Sequence, residues 1–538
     1  MRTGLFLSRD DGKISEAIDV DSLAGHFSHL PVAKVYDNFF RYSDHRDILK
    51  TVDENGLDAV VLAGDSPKYY DTVRDGRLIL EGLKSRGINE NKIAFANIKE
   101  QGALAHGGEN GEVTRKAQLL IDVALAKVEM CHRVKSMVVT PRKSVLVIGT
   151  TPGGIIAARE LLERDYRVYL VEREAAIREH AGIEADILPG LTAVQMNDRA
   201  DILLQTEIED ISGWCGEYSV VLNTRTSREE IKVGGIILSV GDDAEWIGKL
   251  RPKMQLDIDH EGLLRGKQKS NLIGETREPG IWFIPFRKNG DFLAAETSAA
   301  SVAVVSLTAL LDRTEIEHSV LISEVDETVC GGCGTCVKTC AFSASSMNLT
   351  RKLSVIDTMR CKGCGNCVVA CPTGARDLVS YPEKFVLEAI EIMSRAELDD
   401  SEPRVLAILC NGCGYPAADA AGRFAIQAPE LKYSTNVLPI QVECGGNIDT
   451  LYILKAFSRG FDGVALTVCR DGHCYHVVGN TDMERRIGLF REVLRSRNID
   501  AERLRVINVS PHEGELFSSE IRSFCDELKS MCCEEGRP

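Results

Sequence analysis

The sequence predicts a multidomain α/β protein. Three observations carry that prediction. Strand and helix patterns alternate at both ends of the chain, a strand–glycine turn–helix–strand unit lies at 143–172, and eight cysteines crowd into residues 330–371. At 538 residues the chain exceeds one core. Domains run to ~100–200 residues, so three to five units are expected.

Residues 1–138 read as an N-terminal α/β domain. TGLFLS, DAVVLAG and KIAFANI are apolar runs of strand length, and HRDILKTVDENG and DTVRDGRLILEGLKSRG carry helical periodicity. This βαβα rhythm predicts a parallel sheet covered by helices. Residues 139–320 read as a Rossmann-like, FAD-type domain. KSVLVIGTTPGGIIAARELLERDYRVYLVE supplies strand, turn, helix and strand, residues 201–241 a meander ending in IKVGGIILSVG, and PGIWFIPF a strand before a small-residue helix. Residues 321–380 form the cysteine module, and 381–403 a helix and an acidic linker. Residues 404–538 return to βα alternation, with VLAIL, VLPIQV, GVALTV and RVINV as strands. No low-complexity segment is visible, and the only repeat is the cysteine motif.

Composition excludes several classes. Apolar residues make up 44% and charged residues 27%, as in a soluble globular protein. Lys plus Arg number 64 and Asp plus Glu 80, so the net charge is 64 − 80 = −16. Nucleic-acid binders need a basic face, so no nucleic acid is expected. The longest apolar-leaning run, FLAAETSAASVAVVSLTALL, contains Glu296 and reads as a buried helix, not a membrane span. The first residues have no signal-peptide core, so a cytoplasmic location is expected. Cysteines there seldom form disulfides. The 18 cysteines fall in groups, as metal ligands would, and the tail pair Cys532–Cys533 is read as incidental.

CGGCGTCVKTC begins at Cys330 and CKGCGNCVVACP at Cys361, both spaced C-x2-C-x2-C-x3-C. In two-cluster ferredoxins the fourth cysteine of each run ligates the other cluster. That rule groups Cys330, Cys333, Cys336 and Cys371 around one [4Fe–4S], and Cys361, Cys364, Cys367 and Cys340 around the second. Glycines at 331, 332, 334, 363 and 365 let the backbone wrap. Structural zinc, needing only two C-x2-C pairs, explains two interlocking runs poorly.

Five more cysteines follow: Cys410, Cys413, Cys444, Cys469 and Cys474. Cys410, Cys444 and Cys469 each follow a predicted strand, where open α/β sheets bind ligands. A cluster is favoured over zinc or inert thiols. Which four of the five ligate stays open, and His473 and His476 suit outer hydrogen bonding better than ligation.

In GTTPGG, Gly149 and Gly154 match the first and third glycines of a dinucleotide fingerprint, Gly153 gives partial relief to the middle position, and Glu172 ends the next strand. Thr151 stands where the phosphate-approach glycine belongs. FAD and a Rossmann-like fold without nucleotide both stay open.

Two resemblances follow from these motifs. CNGCGYPAAD, LKAFSRGFDGV and the C-x4-C-Y-H run resemble the delta subunit of methyl-viologen-reducing hydrogenase over residues 404–520. This implies a [2Fe–2S] cluster and electrons accepted from a docked partner. Two positions depart from that family: Asn447 replaces an arginine, and GHCYH replaces GDCHY. FANIKEQ, the 146–174 stretch, GIILSVG, AAETSAASVAV and the ferredoxin run resemble the A-type subunit of heterodisulfide reductase over residues 1–380. This implies a thioredoxin-reductase-like flavin domain. The family's N-terminal cluster cysteines are absent, with FLSRDDG, RYSDHRD, AGDSPK and KEQGALAH in their place, and the loop after PGIWFIP is read as lacking the family's Gly-Asp pair that faces a flavin's ribityl chain. The expected function is an electron-transfer component of a heterodisulfide-reductase-like complex. Its donor would be of hydrogenase or formate dehydrogenase type, and a second copy or a related flavin-containing protein would be a further partner. A self-contained FAD-dependent NAD(P)H oxidoreductase or a scaffold with a dead flavin site are the alternatives.

Overall fold

The computed structural model describes residues 1–538 apart from 73, 108–109, 178–183, 255, 259–260, 267–271, 287–291, 398, 400 and 535–538. It separates into two compact units. Met1–Lys135, Leu321–Ile356 and Cys361–Pro538 form one, and Ser136–Val320 with Asp357–Arg360 the other. The N-terminal, ferredoxin-type and C-terminal regions, expected as separate domains, thus share a unit.

At the N-terminus β1 (Thr3–Ser8), β2 (Val32–Tyr36), β3 (Ala59–Gly64) and β4 (Ile93–Asn97) form a parallel sheet ordered β2-β1-β3-β4. Every residue of β1 and β3 is buried, as in a parallel sheet covered on both faces. Helix α1 (Asn110–Met130) follows β4 and packs on it.

The second unit is Rossmann-like, as expected. It is built on β5 (Ser144–Ile148), α2 (Pro152–Glu163), β6 (Arg167–Val171), β7 (Ala200–Leu203), β8 (Gly235–Leu238) and β9 (Ile281–Phe283). Its strands are parallel and ordered β9-β8-β5-β6-β7. The expected meander divides: Glu207–Trp214, Glu217–Asn223 and Arg228–Val233 make a separate antiparallel sheet, while β8 joins the parallel one. Helix α3 (Phe292–Leu311) is long and apolar enough to cross a membrane by length and composition. Its Ala300, Ala303, Val304 and Leu307 lie in this unit's core.

The cysteine module carries two short helices, α4 (Thr335–Thr339) and α5 (Asn366–Val369). Helix α6 (Glu383–Ser394) follows. It buries Phe385, Val386, Ala389, Ile390 and Met393, spaced three and four apart, in the core that α1 shares. The C-terminal region contains β10 (Val405–Cys410), α7 (Gly414–Phe424), β11 (Val437–Val442), β12 (Gly463–Cys469), α8 (Gly479–Ser496), β13 (Leu504–Val509) and α9 (Gly514–Glu534). Its parallel sheet is ordered β11-β10-β12-β13. The side chains of Cys532 and Cys533 lie outside the described residues.

Helix α7 binds the N-terminal region through a buried carboxylate. Asp419 accepts from Ser66 Oγ, Asn97 Nδ2 (2.8 Å) and Gln101 Nε2 (2.7 Å). Beside it the buried Glu100 accepts from the Ser66 amide at 2.9 Å. Burial, and then the Asp419 charge, raise the Glu100 pKa from 4.5 to about 8. The unfolded chain ionises this group at lower pH than the folded one. Stability is therefore lost as pH rises from about 4.5 to about 8. Glu100→Gln, which mimics the protonated acid, is expected to flatten that loss. Thermal unfolding at pH 5 and pH 8 reads the difference, and an unchanged slope in the variant would rule the group out.

Candidate redox centres

The two cysteine runs fold alike. Gly332 and Gly363 both have φ +66°, and Gly334 and Gly365 have φ +74° and +84°. A Cβ on Gly332 would lie 2.4 Å from the Lys352 carbonyl oxygen, and one on Gly363 2.7 Å from that of Leu321, so both turns require glycine. The first run does not close on its own fourth cysteine. Cys330, Cys333 and Cys336 line a cavity of about 20 Å³ together with Cys371, and Cys340 interacts electrostatically with Cys361, Cys364 and Cys367.

Arg376, to which the cysteine spacing does not point, also lines that cavity. It is 3% exposed. Its Nη2 donates to Ser345 Oγ (3.0 Å) and Ser354 Oγ (2.6 Å), while Nε and Nη1 have no hydrogen-bond partner among the described residues. Spare buried donors beside four thiols fit an anionic group such as a thiolate-bound cluster. Arg376 lies five residues beyond Cys371, and nothing in the stretch PTGAR separates a buried arginine from a solvated one.

Strand ends deliver the C-terminal thiols. Cys410 closes β10 and Cys469 closes β12, Cys444 follows β11, Cys413 caps α7, and Cys474 lies in the loop before α8. All five are buried. Cys410 and Cys469 have sulfurs 3.9 Å apart, as have Cys444 and Cys474, and Cys469 also interacts with Cys413 and Cys474, so the five thiols form one set. Two thiolates on one tetrahedral metal with ~2.3 Å bonds stand roughly 3.8 Å apart, so each pair fits one iron. The amides of Cys413 and Gly414 donate to the Cys410 sulfur at 3.4 and 3.3 Å. His473 is exposed, and His476 places Nε2 3.0 Å from the Lys362 carbonyl oxygen.

That last contact belongs to a junction between the C-terminal thiols and the second cysteine run. A Cβ on Gly365 would lie 2.6 Å from Asn447 Cβ, and one on Gly446 2.9 Å from the Cys364 carbonyl oxygen. Asn366 Nδ2 donates to Asp482 at 2.9 Å. Both polar atoms of the buried Asn447 and Oδ1 of Asn366 have no hydrogen-bond partner among the described residues, so spare polar groups collect beside both thiol sets.

The glycine turn of the second unit is bonded differently. Gly149 has φ +98°, and its Cβ would lie 2.1 Å from the Ser239 carbonyl oxygen; a Cβ on Gly154 would lie 2.5 Å from that of Gly149. Both glycines are thus explained by the turn and by helix–strand packing. The N-terminus of α2 is bonded internally: Glu296 Oε2 accepts from the Gly153 amide at 2.9 Å and from Thr151 Oγ1 at 3.0 Å. A Cβ on Gly153 would meet Ile284 at 2.8 Å. Glu172 is fully buried and accepts from Thr150 Oγ1 at 2.7 Å and from the Arg173 amide at 2.9 Å. The Glu296 carboxylate thus takes the Gly153 amide, a bond that a pyrophosphate at this helix N-terminus would need. The expectation that the loop after PGIWFIP lacks a Gly-Asp pair is corrected by the sequence itself: Gly290–Asp291 lie there, outside the described residues.

Comparison with known proteins adds to this geometry. A family model described as methyl-viologen-reducing hydrogenase, delta subunit, matches residues 405–532, and one described as a 4Fe-4S dicluster domain matches residues 329–375. The chain is 35% identical over 237 residues to the A-type subunit of the ferredoxin:CoB-CoM heterodisulfide reductase of Methanosarcina mazei, a match covering 44% of this chain and 28% of that protein. It is 34% identical over 130 residues to the D-type iron-sulfur subunit of the F420-non-reducing hydrogenase vhc of Methanococcus voltae, a match covering 24% of this chain and 87% of that protein. The chain therefore spans less than a third of the length of the Methanosarcina mazei relative. Among solved structures it is similar to THI4 of Thermovibrio ammonificans at 15% identity, covering 32% of this chain and 92% of that one, with a TM-score of 0.25, too low to add to the topology.

Proposed function

The chain is similar to the A-type subunit of heterodisulfide reductase and its C-terminal domain belongs to the methyl-viologen-reducing hydrogenase delta subunit family, and from that premise we propose that it is an electron carrier without a flavin. Iron–sulfur clusters supply one-electron transfer when bound. Cys330, Cys333, Cys336 and Cys371 would hold one [4Fe–4S], and Cys361, Cys364, Cys367 and Cys340 the other. Cys410 with Cys469 and Cys444 with Cys474 would hold a [2Fe–2S], leaving Cys413 to orient the Cys410 sulfur. The observation that carries the reading is the junction of Gly365 and Gly446. It sets the second ferredoxin run, not the first, against the C-terminal thiols. The exposed Cys333 then marks the far end of the path. A donor of hydrogenase or formate dehydrogenase type would dock at the C-terminal domain of this cytoplasmic chain. A heterodisulfide-reductase-like partner would meet the ferredoxin module. The second unit serves as scaffold, because Glu296 holds the dinucleotide turn.

Anaerobic assay of the purified protein is expected to give about ten irons per chain, eight plus two by ligand count, and no flavin on acid extraction. Stoichiometric FAD would overturn the scaffold reading, and zinc in the C-terminal domain would overturn that centre. Cys469→Ser is expected to cost the [2Fe–2S] signal, whereas Cys413→Ser keeps it with a shifted potential. Equal loss in both variants would show that Cys413 is a ligand.

A further inference from the structure

The two four-stranded sheets of the first unit share one strand order. β2-β1-β3-β4 and β11-β10-β12-β13 each run second, first, third, fourth along the chain, all parallel. Each ends in a helix of 21 residues, α1 and α9. That order recurs among doubly wound folds and proves little alone. Register is more discriminating. β1 and β10 are both six residues long, and pairing with the third strand begins at the first residue of each, Thr3 with Ala59 and Val405 with Gly463.

Laying one register on the other brings Ser8 to the position of Cys410 and, three residues on, Asp11 to that of Cys413. Ser8 pairs with Tyr36 and Cys410 with Val442, so Asn38 falls at Cys444. Leu7 pairs with Ala63 and Leu409 with Thr467, so Asp65 falls at Cys469. Of these four, Asn38 and Asp11 are in direct contact, and Asp10 and Lys99 link the others. Lys99 Nζ lies 2.6 Å from Asp10 Oδ2 and 2.6 Å from Asp65 Oδ1. Asn38 Nδ2 donates to Asp11 Oδ2 (2.8 Å) and Asp10 Oδ1 (3.2 Å), and the Asp10 amide donates to Ser8 Oγ (3.1 Å). Arg41 pairs with Asp11 from outside.

We infer that the N-terminal region is a second copy of the C-terminal cluster domain, in which the Lys99 ammonium group and its carboxylates occupy the place of the cluster. An ion site stands where a redox site would be. Burial alone would lower the Lys99 pKa, but the Asp65 and Asp10 carboxylates more than reverse this and keep it charged. The copy carries no electrons and instead anchors α7 through Asp419. Periodicity along the chain does not display the repeat, because the residues that would mark it have all changed type.

The inference rests on the proposed cluster at Cys410–Cys474, so the test measures both sites. In full-length protein, Ser8→Cys, Asp11→Cys, Asn38→Cys and Asp65→Cys are combined with Lys99→Ala, and iron and EPR signals are counted under anoxic conditions. The long loop that carries Cys474 has no counterpart after β3, where a helix starts at Pro67, so Asp11→Cys supplies the fourth thiol from the Cys413 position. About two irons beyond wild type are expected, with the native signals kept. A folded variant without added iron, or a control set with each cysteine moved one residue along that gains as much, overturns the inference. Cys410→Ser run alongside reports separately on the C-terminal centre: if it costs no iron, that reading fails instead. Should the combined variant not fold, Lys99→Met is expected to lower the unfolding temperature without changing iron content, and Lys99→Arg to restore it. A Lys99→Met protein as stable as wild type overturns the ion site.

Discussion

Replacing Cys340 by serine is expected to abolish the EPR signal that Cys364→Ser also removes, and to leave the one that Cys333→Ser removes. Cys340 is the fourth cysteine of the first run, and the spacing rule of two-cluster ferredoxins assigns it to the cluster of the second run. The fold is consistent with that assignment. Cys371 lines the cavity of Cys330, Cys333 and Cys336, while the Cys340 thiol interacts with those of Cys361, Cys364 and Cys367. The two runs each turn through a pair of left-handed glycines, and on the proposed assignment they exchange their last ligands. A cluster deprived of one of four thiolates loses its site, so a whole signal and about four irons should go. Potentiometric EPR of the three variants reads this. Cys340→Ser behaving as Cys333→Ser does would refute the exchange.

Much of this was legible in the sequence, because cysteine spacing encodes local chemistry. Six of the eight ferredoxin-type cysteines sit in C-x2-C-x2-C loops whose geometry is set within the motif. The strands of both terminal sheets were legible where they are buried on both faces, as β1, β3, β10 and β12 are. The strand β2 was not: VAKVY is short, only its last residue is buried, and no long apolar run marks it. Contacts between distant residues were also hidden. Glu296 lies 143 residues from Gly153, and nothing in AAETSAA announces that its carboxylate reaches the N-terminus of α2. Arg376 and Asn447 gain meaning only from the thiols the fold brings beside them. The shared register of the two sheets is a property of strand pairing, which no single-chain periodicity records.

Gly365→Ala is expected to slow electron exchange between the C-terminal domain and the ferredoxin module while leaving all clusters loaded. At φ +84° any side chain carries a backbone penalty of roughly 1–2 kcal/mol. That cost alone would prove nothing, and Gly334 supplies the control. It occupies the same place in the first run, at φ +74°, but a Cβ there meets nothing within 4 Å among the described residues. On Gly365 the Cβ would lie 2.6 Å from Asn447 Cβ and 2.9 Å from its Cα, which is backbone and cannot turn aside. The loops that bring the Cys364 and Cys444 regions together must therefore part. Electron transfer falls steeply with distance, so exchange should slow in Gly365→Ala and stay near wild type in Gly334→Ala. One-electron photoreduction followed by freeze-quench EPR reads how the electron divides between the two sets of signals over time. Iron content confirms that both variants are loaded. Equal rates in the two variants would place the path elsewhere, and the junction would then be packing alone.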